Sequence, residues 1–202
     1  IKGSVDTWGW YQDAGDWDGY FSHLRIPVIL MLTWESAPAN FADGELNLPE
    51  GKNGIPDILD EAHWLVSYLH RTRTELIKKG YGTGGIGARV APDWFGSEKD
   101  GTPSYEDARQ WITSGEDPFT TYFYAGLAAH YALALKKIGV TDSENIDWQK
   151  EAEDAWLWAK TNTRTGDTTP SNVLGYNLTY YRFYASAILF RLTGKAEYET
   201  AV

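Results

Sequence analysis

Apolar residues recur at helical spacing in the longest patterned stretch of the chain, which follows Pro56. Leu59, Ala62, Leu65, Val66, Leu69, Leu76 and Ile77 repeat there. A repeat of three and four residues places apolar side chains on one face of an α-helix. The acidic residues Asp57, Asp60 and Glu61 favour a helix start near Pro56. Lys78-Lys79-Gly80 favours the helix end, so the pattern predicts one long helix between these points.

Four more stretches predict helices, and a further helix begins near the end of the sequence. They run from Pro27 to about Trp34, from Asp117-Pro118 to Ile138-Gly139, from about Asp147 to Lys160, and from near Leu178 to Leu192, with Ala196-Glu197-Tyr198 starting the last one. A proline suits the first turn of a helix, and Gly139 and Gly194 suit the ends. The pattern predicts one all-α domain.

A long segment between the second and third predicted helices, residues 81–115, is rich in Gly, Pro and aromatic residues and predicts an irregular loop. Loops of this length inside compact domains are usually functional or disordered. The other connections are much shorter. Helices joined by loops of very unequal length are typical of helical hairpins arranged in a ring, with the long loops gathered at one end.

The amino-acid composition limits which partners and which kinds of site this chain can have. The net charge of −10 argues against nucleic acid and anionic membranes as partners, since both are polyanions. The longest apolar run, Pro27 to Trp34, is far shorter than the roughly 18 residues that a membrane span needs. The absence of cysteine excludes disulfides and thiolate metal sites. The 10 Trp and 13 Tyr suit stacking on sugar rings, although we expect most of them in a helical core.

Two motif matches and one histidine pair do not predict cofactor or metal sites. Gly82, Gly84 and Gly87 satisfy G-x-G-x-x-G, but a predicted helix end precedes them where a dinucleotide site needs a strand. An EF-hand loop around Asp16 and Asp18 would place alanine and arginine at its two end positions, which must be acidic. His63 and His70 lack a third ligand and are expected at a surface or interface. We therefore predict no metal site.

The stretch "GWYQDAGDWDG" carries three carboxylates, Asp13, Asp16 and Asp18, among five aromatic residues between Trp8 and Tyr20. One interpretation is a solvated turn in which aspartates cap backbone amides and glycines relieve strain. The aromatic surroundings favour another. Two nearby carboxylates can hold and polarise one water molecule, because their repulsion raises the pKa of one of them. Glycoside hydrolysis with inversion needs such a base, with a carboxylic acid about 6.5–9.5 Å away.

The motif and its surroundings resemble glycoside hydrolase family 9. "GWYQDAGDWDGYFSHLRIPVILMLTW" is similar to the family's Gly-Trp-Tyr-Asp-Ala-Gly-Asp-Tyr loop and the helix that follows it. "NGIPDILDEAHWLVSYLHR" is similar to the next block, Asn-Gly-Ile-Pro-Asp-Leu-Leu-Asp-Glu-Ala. "RFYASAILFRLTGKAEY" is similar to a later helix that ends in Thr-Gly-Asp. The blocks occur in the family's order.

The resemblance implies an (α/α)6 barrel, an α/α toroid of helical hairpins, and inverting hydrolysis of β-1,4-glucan or a related plant polysaccharide. By motif match Asp16 is the catalytic base, and Asp13 helps to hold the attacking water. Gln12 is inserted before Asp13, which weakens the match at Asp13 more than at Asp16. Trp94 lies where the family has an aromatic substrate-binding loop, and Trp17 and Tyr184 are further substrate-binding candidates.

The family's barrel has twelve helices, whereas five and the start of a sixth are predicted here, so the resemblance implies that residues 1–202 are the incomplete N-terminal half of a catalytic domain. The family's catalytic acid is a Glu near the end of that domain. Glu35, Glu98, Glu106 and Glu116 lack its context, so none is assigned that role. We expect an isolated fragment of this kind to be inactive. The alternatives are a complete carbohydrate-binding or scaffold module, or another α/α-toroid enzyme such as a lyase; the ending "AEYETAV" favours the fragment.

Further expectations follow from the resemblance. The substrate is an oligo- or polysaccharide, and the location is secreted, periplasmic or at the cell surface. No cofactor is predicted; some family members bind calcium, but no closed set of ligands is visible in this sequence. Hairpins missing from the barrel would leave apolar surface uncovered, which predicts self-association.

Overall fold

Six α-helices make up most of the structure, a computed structural model that describes residues 3–14, 17–18, 21–87, 90–92, 106, 109–142, 144–164 and 178–201. The helices are α1 (Arg25–Ser36), α2 (Asp57–Lys78), α3 (Pro118–Ile138), α4 (Trp148–Asn162), α5 (Leu178–Thr193) and α6 (Ala196–Glu199). Short 3-10 turns precede and follow α1, at Phe21–Leu24 and Pro38–Asn40. The five predicted helices and the start of the sixth are confirmed, with ends shifted by only a few residues.

The helices α1, α3 and α5 run in the same direction. Glu35 in the last turn of α1 accepts hydrogen bonds from Lys137 in α3 and Arg191 in α5, each at 2.8 Å, so the C-terminal ends of the three helices meet. Helix α2 runs against α3, because Glu116, just before α3, accepts a hydrogen bond from the backbone of Gly85, just after α2. This alternation is the helical-hairpin arrangement that the sequence predicts.

Helix α3 is the centre of the core. Every residue from Thr120 to Tyr131 is buried, and α3 packs extensively on both α4 and α5. Its alanines and Gly126 keep the helix thin, so its neighbours approach closely. A Cβ on Gly126 would lie 2.4 Å from the ring of Tyr184 in α5. A helix that is apolar on all sides is buried on all sides.

Two small sheets lie in the connecting segments. Strand β1 (Gln12–Ala14) pairs with β2 (Trp17–Asp18), and β3 (Val90–Pro92) pairs with β4 (Trp111–Thr113), both antiparallel. The second pair corrects the prediction that residues 81–115 are wholly irregular. Strands of three residues are too short to show a two-residue apolar alternation, and their partners lie far apart in sequence.

A buried ion pair between Arg73 and Glu151 joins α2 to α4. Arg73 Nη1 donates to Glu151 Oε2 at 2.8 Å, and Arg73 Nε donates to the carbonyl of Gly84 at 2.7 Å. The hydroxyl of Tyr124 donates to the other carboxylate oxygen of Glu151 at 2.6 Å. Three helices therefore share one carboxylate.

In the part of the chain that the structure describes, no helix combines the length and the hydropathy needed to cross a bilayer.

Candidate active site

The predicted catalytic loop is described in part. Asp13 lies in β1 and Trp17 in β2, so the two residues stand on neighbouring strands of one hairpin, in which Ala14 pairs with Trp17. Their side chains lie outside the described residues, as do Asp16 and Trp94. The catalytic and substrate-binding roles of these four residues therefore stay predictions.

The N-terminal segment, residues 3–11, leads into this hairpin and lies along α2. Four hydrogen bonds join the segment to the helix, in order from the C-terminal end of α2 towards its N-terminal end. Lys79 Nζ donates to the Ser4 carbonyl at 2.7 Å, and the hydroxyls of Thr7 and Thr72 are 2.6 Å apart. Arg71 Nη2 donates to the Trp8 carbonyl at 3.1 Å, and the Tyr11 hydroxyl donates to Glu61 Oε1 at 2.9 Å. Helix α2 thus holds the N-terminal segment in place up to the residue where the predicted catalytic loop begins.

Two aromatic residues hold the segment where the hairpin begins. Trp10 packs edge-on against Tyr68, with ring centroids 5.1 Å apart. Tyr11 donates to both the carboxylate and the backbone carbonyl of Glu61. Burial and the charge of Glu61 raise the pKa of Tyr11, so its hydroxyl stays a donor. The aromatic residues that precede the loop therefore anchor it on α2.

Gly9 allows this close approach to α2. Its φ is 110°, a conformation that side chains rarely adopt, and a Cβ there would lie 2.8 Å from Arg71 Nη2. The first glycine of the "GWYQDAGDWDG" stretch is thus required by packing.

Tyr184, the third substrate-binding candidate, lies between α3 and α5. Its hydroxyl is 3.1 Å from His130 Nδ1, and its ring meets Phe123 at a right angle with centroids 5.7 Å apart. Burial raises its pKa. These contacts give Tyr184 a packing role, and its binding of substrate stays a prediction.

Glu35 lacks the environment of a catalytic acid. It forms ion pairs with Lys137 and Arg191, and His130 Nε2 is 3.6 Å away. Although burial acts to raise its pKa, the hydrogen bonds from Arg191 and Lys137 lower it to about 2. A general acid needs a raised pKa, so Glu35 is a structural charge.

The carboxylate of Glu116 accepts hydrogen bonds from the backbone of the glycine-rich loop after α2. Its Oε1 accepts hydrogen bonds from the backbone amides of Thr83, Gly84 and Gly85 at 2.6, 2.9 and 2.8 Å. These amides would face a phosphate in a nucleotide site, but here a carboxylate of the same chain occupies them. A helix precedes the loop, which supports the rejection of the dinucleotide motif. Glu106 is exposed, and Glu98 lies outside the described residues.

The two histidines of α2 lie at its interface with α3 and α4. His63 stacks on Tyr131 with centroids 4.8 Å apart, and burial lowers its pKa. His70 Nδ1 is 3.1 Å from Glu151 Oε1. Among the described residues no three His, Cys, Asp or Glu side chains form a group that could hold a metal ion.

Comparison with known proteins gives matches in sequence and in fold, although no family model matches the chain. A cellulose 1,4-beta-cellobiosidase of Acetivibrio thermocellus is 44% identical over 73 residues, which are 32% of this chain and 8% of that protein. The crystal structure of a metagenome-derived glycoside hydrolase family 9 endoglucanase superposes with a TM-score of 0.73 and 25% identity, over 98% of this chain and 35% of that one.

The chain has the fold of glycoside hydrolase family 9. The predicted resemblance is confirmed, and the mostly helical architecture is consistent with part of the family's (α/α)6 barrel. Endoglucanase CelQ from Clostridium thermocellum, solved with cellotriose, has the same fold at 14% identity, with a TM-score of 0.62 over 98% of this chain and 30% of that one. The chain thus spans about a third of the solved family 9 structures and less than a tenth of the cellobiosidase.

The aspartates that open α2 accept hydrogen bonds that the helix pattern does not predict. Asp57 accepts hydrogen bonds from the backbone amides of Gly44 and Leu46, which lower its pKa. Asp60 accepts one from the Asn53 side chain at 3.0 Å, and burial raises its pKa to about 6. The sequence pattern predicts both only as favourable charges at a helix start. The nearby "NGIP" turn was the available signal that the loop folds back onto them.

A cleft of about 120 Å³, lined by both polar and aromatic side chains, lies beside Asp60, and the sequence does not predict it. Its lining includes Trp8 from the N-terminal segment, Trp64 from α2, Tyr131 from α3 and Asp142 from the loop after α3. With the loop before α2, which contributes Asn53, five separate parts of the chain meet there, and a local sequence pattern cannot reveal such a meeting.

Proposed function

We propose that this chain is the N-terminal part of an inverting glycoside hydrolase that acts on β-1,4-glucan or a related plant polysaccharide. The main support is the position of the "GWYQDAGDWDG" stretch directly before α1 in a chain with the family 9 fold. Asp16 is the proposed base, and Asp13 its partner in holding the attacking water. The acid would come from residues outside this sequence, since Glu35 and Glu116 are held as structural carboxylates.

The proposed chemistry uses one water molecule. Asp16 takes a proton from it as its oxygen attacks the anomeric carbon, while a carboxylic acid on the opposite side protonates the leaving oxygen. Anchoring of the loop through Trp10 and Tyr11 supports this role, because a general base must be held within hydrogen-bond reach of the proton it removes. No cofactor takes part in the proposed step.

The relatives support the substrate class. The relatives are a cellobiosidase and endoglucanases, and the CelQ structure contains cellotriose. A polymeric glucan cannot cross a cell membrane, so the proposal includes a secreted or cell-surface location. The net charge of −10 agrees with a neutral substrate.

The anomeric form of the first product tests the proposal. The full-length protein that contains this sequence is mixed with cellohexaose, and proton NMR follows the new reducing ends. Inversion of a β-linkage is expected to release the α-anomer first, with the β-anomer growing only by mutarotation. Initial release of the β-anomer would contradict inversion. Binding of cellohexaose without hydrolysis would favour the alternative, a carbohydrate-binding or scaffold module.

Trp94→Ala in the full-length protein is expected to raise the Kd for cellohexaose roughly tenfold, about 1.4 kcal/mol, because an aromatic face that stacks on a sugar ring is lost. Isothermal titration calorimetry measures the Kd. Trp94→Phe is the matched control and should keep most of the affinity. Equal Kd values for wild type and Trp94→Ala would remove Trp94 from the site.

Exposed apolar side chains support the proposed self-association of this chain in isolation. Tyr180, Phe183 and Phe190 form a stripe on α5, and Ile29 and Leu32 are exposed on α1. Apolar patches of this kind favour association with another surface.

A further inference from the structure

Four buried polar atoms of residues that line the cleft beside α2 make no hydrogen bond with any described residue. They are Asp60 Oδ2, Asp142 Oδ1, the hydroxyl of Tyr131 and Arg71 Nε. Asp60 and Asp142 are each 3% exposed and Tyr131 is fully buried, and all three line the cleft. His63 Nε2 lies 3.6 Å from Asp142 Oδ1, beyond hydrogen-bond range. A buried polar group without a hydrogen-bond partner is unfavourable, so a polar ligand that bonds to these groups is favoured.

The other carboxylate oxygens are already engaged, which fixes the free ones in place. Asp60 Oδ1 accepts from the Asn53 side chain, and Asp142 Oδ2 accepts from the backbone amides of Glu144 and Ile146. The two unpaired oxygens are therefore presented by rigid side chains.

Two tryptophans form the rim of the cleft. The ring centroids of Trp8 and Trp64 are 5.4 Å apart with the planes tilted by 57°. Trp8 is 55% exposed and Trp64 is 36% exposed. The guanidinium of Arg71 lies 3.7 Å above the Trp8 ring and covers one of its faces. The exposed surface of Trp8 thus lies on its other face and its edges, where a flat, partly apolar ligand can pack.

The cleft presents both unpaired acceptors and unpaired donors, a combination that suits hydroxyl groups. Asp60 and Asp142 offer the acceptors, and Tyr131 and Arg71 offer the donors. A hydroxyl can donate to the first pair and accept from the second, whereas an ammonium group has no acceptor. Arg71 also occupies a face of Trp8 on which a cation would stack. The volume of about 120 Å³ is several times the roughly 30 Å³ of one water molecule, so the cleft can admit more than an isolated water.

We propose that this cleft is a second saccharide-binding site, in which a neutral oligosaccharide packs on Trp8 and Trp64 and its hydroxyls bond to Asp60, Tyr131 and Asp142. None of the residues that line the cleft belongs to the predicted catalytic loop. Asp60 and Trp64 lie one helical turn apart on the same face of α2. The cleft therefore lies where this face of α2 meets α3 and the neighbouring loops, with its polar groups buried and the two tryptophans at its rim.

Calorimetric titration of the full-length protein tests the site, with cellohexaose and xylohexaose as probes. The protein carries Asp16→Asn so that the probe stays intact. Trp64→Ala is expected to remove one binding event per molecule, or to raise its Kd at least about tenfold, because half of the aromatic rim is lost. Asp142→Asn is expected to weaken the same event, since its amide oxygen can still accept from residues 144 and 146 while an NH2 group replaces the free oxygen.

Ile77→Ala is the matched control, because Ile77 is exposed on the same helix and does not line the cleft. Its binding isotherm should equal that of the parent protein, and circular dichroism melting curves check that each variant is folded. If the predicted catalytic loop does not bind saccharide, calorimetry should show a single binding event, the one at the cleft. Trp64→Ala should still weaken or remove that event. Unchanged binding in both Trp64→Ala and Asp142→Asn would overturn the site. Binding of hexalysine, with no saccharide binding, would overturn it in favour of a cationic partner.

Discussion

Replacing Asp16 by Asn is expected to lower kcat of the full-length protein on soluble β-glucan by about 10²–10⁴-fold, the usual contribution of a general base. The amide has nearly the same shape as the carboxylate but cannot take a proton from the attacking water. Because the substitution removes an interaction that matters in the transition state, the Kd for cellohexaose should change little. Reducing-end release gives kcat, and calorimetry gives Kd.

Asp18→Asn is the control for Asp16→Asn. It removes one negative charge from the same stretch, two residues further on, and the motif match assigns no catalytic role to Asp18. We expect its kcat to stay close to that of the wild type. Near-normal turnover by Asp16→Asn, or equal losses in the two variants, would contradict the assignment of Asp16 as the base.

Replacing Glu151 by Gln is expected to destabilise the fold by about 3–5 kcal/mol, because it leaves the buried charge of Arg73 without its partner. Both side chains are about nine-tenths buried. The same carboxylate accepts from the Tyr124 hydroxyl, and His70 lies beside it. Urea denaturation of the wild type and the variant measures the difference in the free energy of unfolding.

Glu153→Gln is the control for Glu151→Gln, two residues further along α4. Glu153 pairs with Lys195 at 2.7 Å, but the two side chains are partly exposed. Such pairs contribute at most about 1 kcal/mol, so this variant should unfold close to the wild type. A loss in Glu153→Gln as large as that in Glu151→Gln would show that burial of the Arg73 pair does not set the cost.

The pH dependence of stability checks the same pair. Burial acts to raise the pKa of Glu151, but the hydrogen bond with His70, the charge of Arg73 and the hydrogen bond from Tyr124 together lower it to about 2. A depressed carboxyl pKa contributes stability above its unfolded value of 4.5, and that contribution is lost as the pH falls towards 2. The stability difference between wild type and Glu151→Gln should therefore shrink over this range.

The helices were predictable because their signals are local. Asp117 is the N-cap of α3, where its carboxylate accepts from the Thr120 amide at 2.7 Å, and Gly139 ends the same helix with a φ of 74°. Each contact lies within one helical turn, so spacing and residue type reveal it. The strands β3 and β4 were missed because their pairing joins residues about twenty positions apart.

In the candidate site, too, the features that the sequence predicts are local, and the features that it does not predict depend on contacts between distant residues. The Asp13 and Asp16 motif can be read from a few consecutive residues, and the comparison of folds confirms the resemblance to family 9. The anchoring of the loop by Tyr11 on Glu61 crosses fifty residues and has no local signature. The packing role of Tyr184 against His130 likewise depends on how α5 docks on α3.

By itself the sequence determined the helices, the acidic and cysteine-free character of the chain, and the family 9 motifs. Only the tertiary structure decided which charges are paired and which polar groups are left unpaired. Arg73 and Glu151 are 78 residues apart, and Asp60, Tyr131 and Asp142 meet only when the loops around α2 and α3 close together. Backbone hydrogen bonds and side-chain periodicity act within a helical turn, whereas burial and charge pairing depend on which segments pack together.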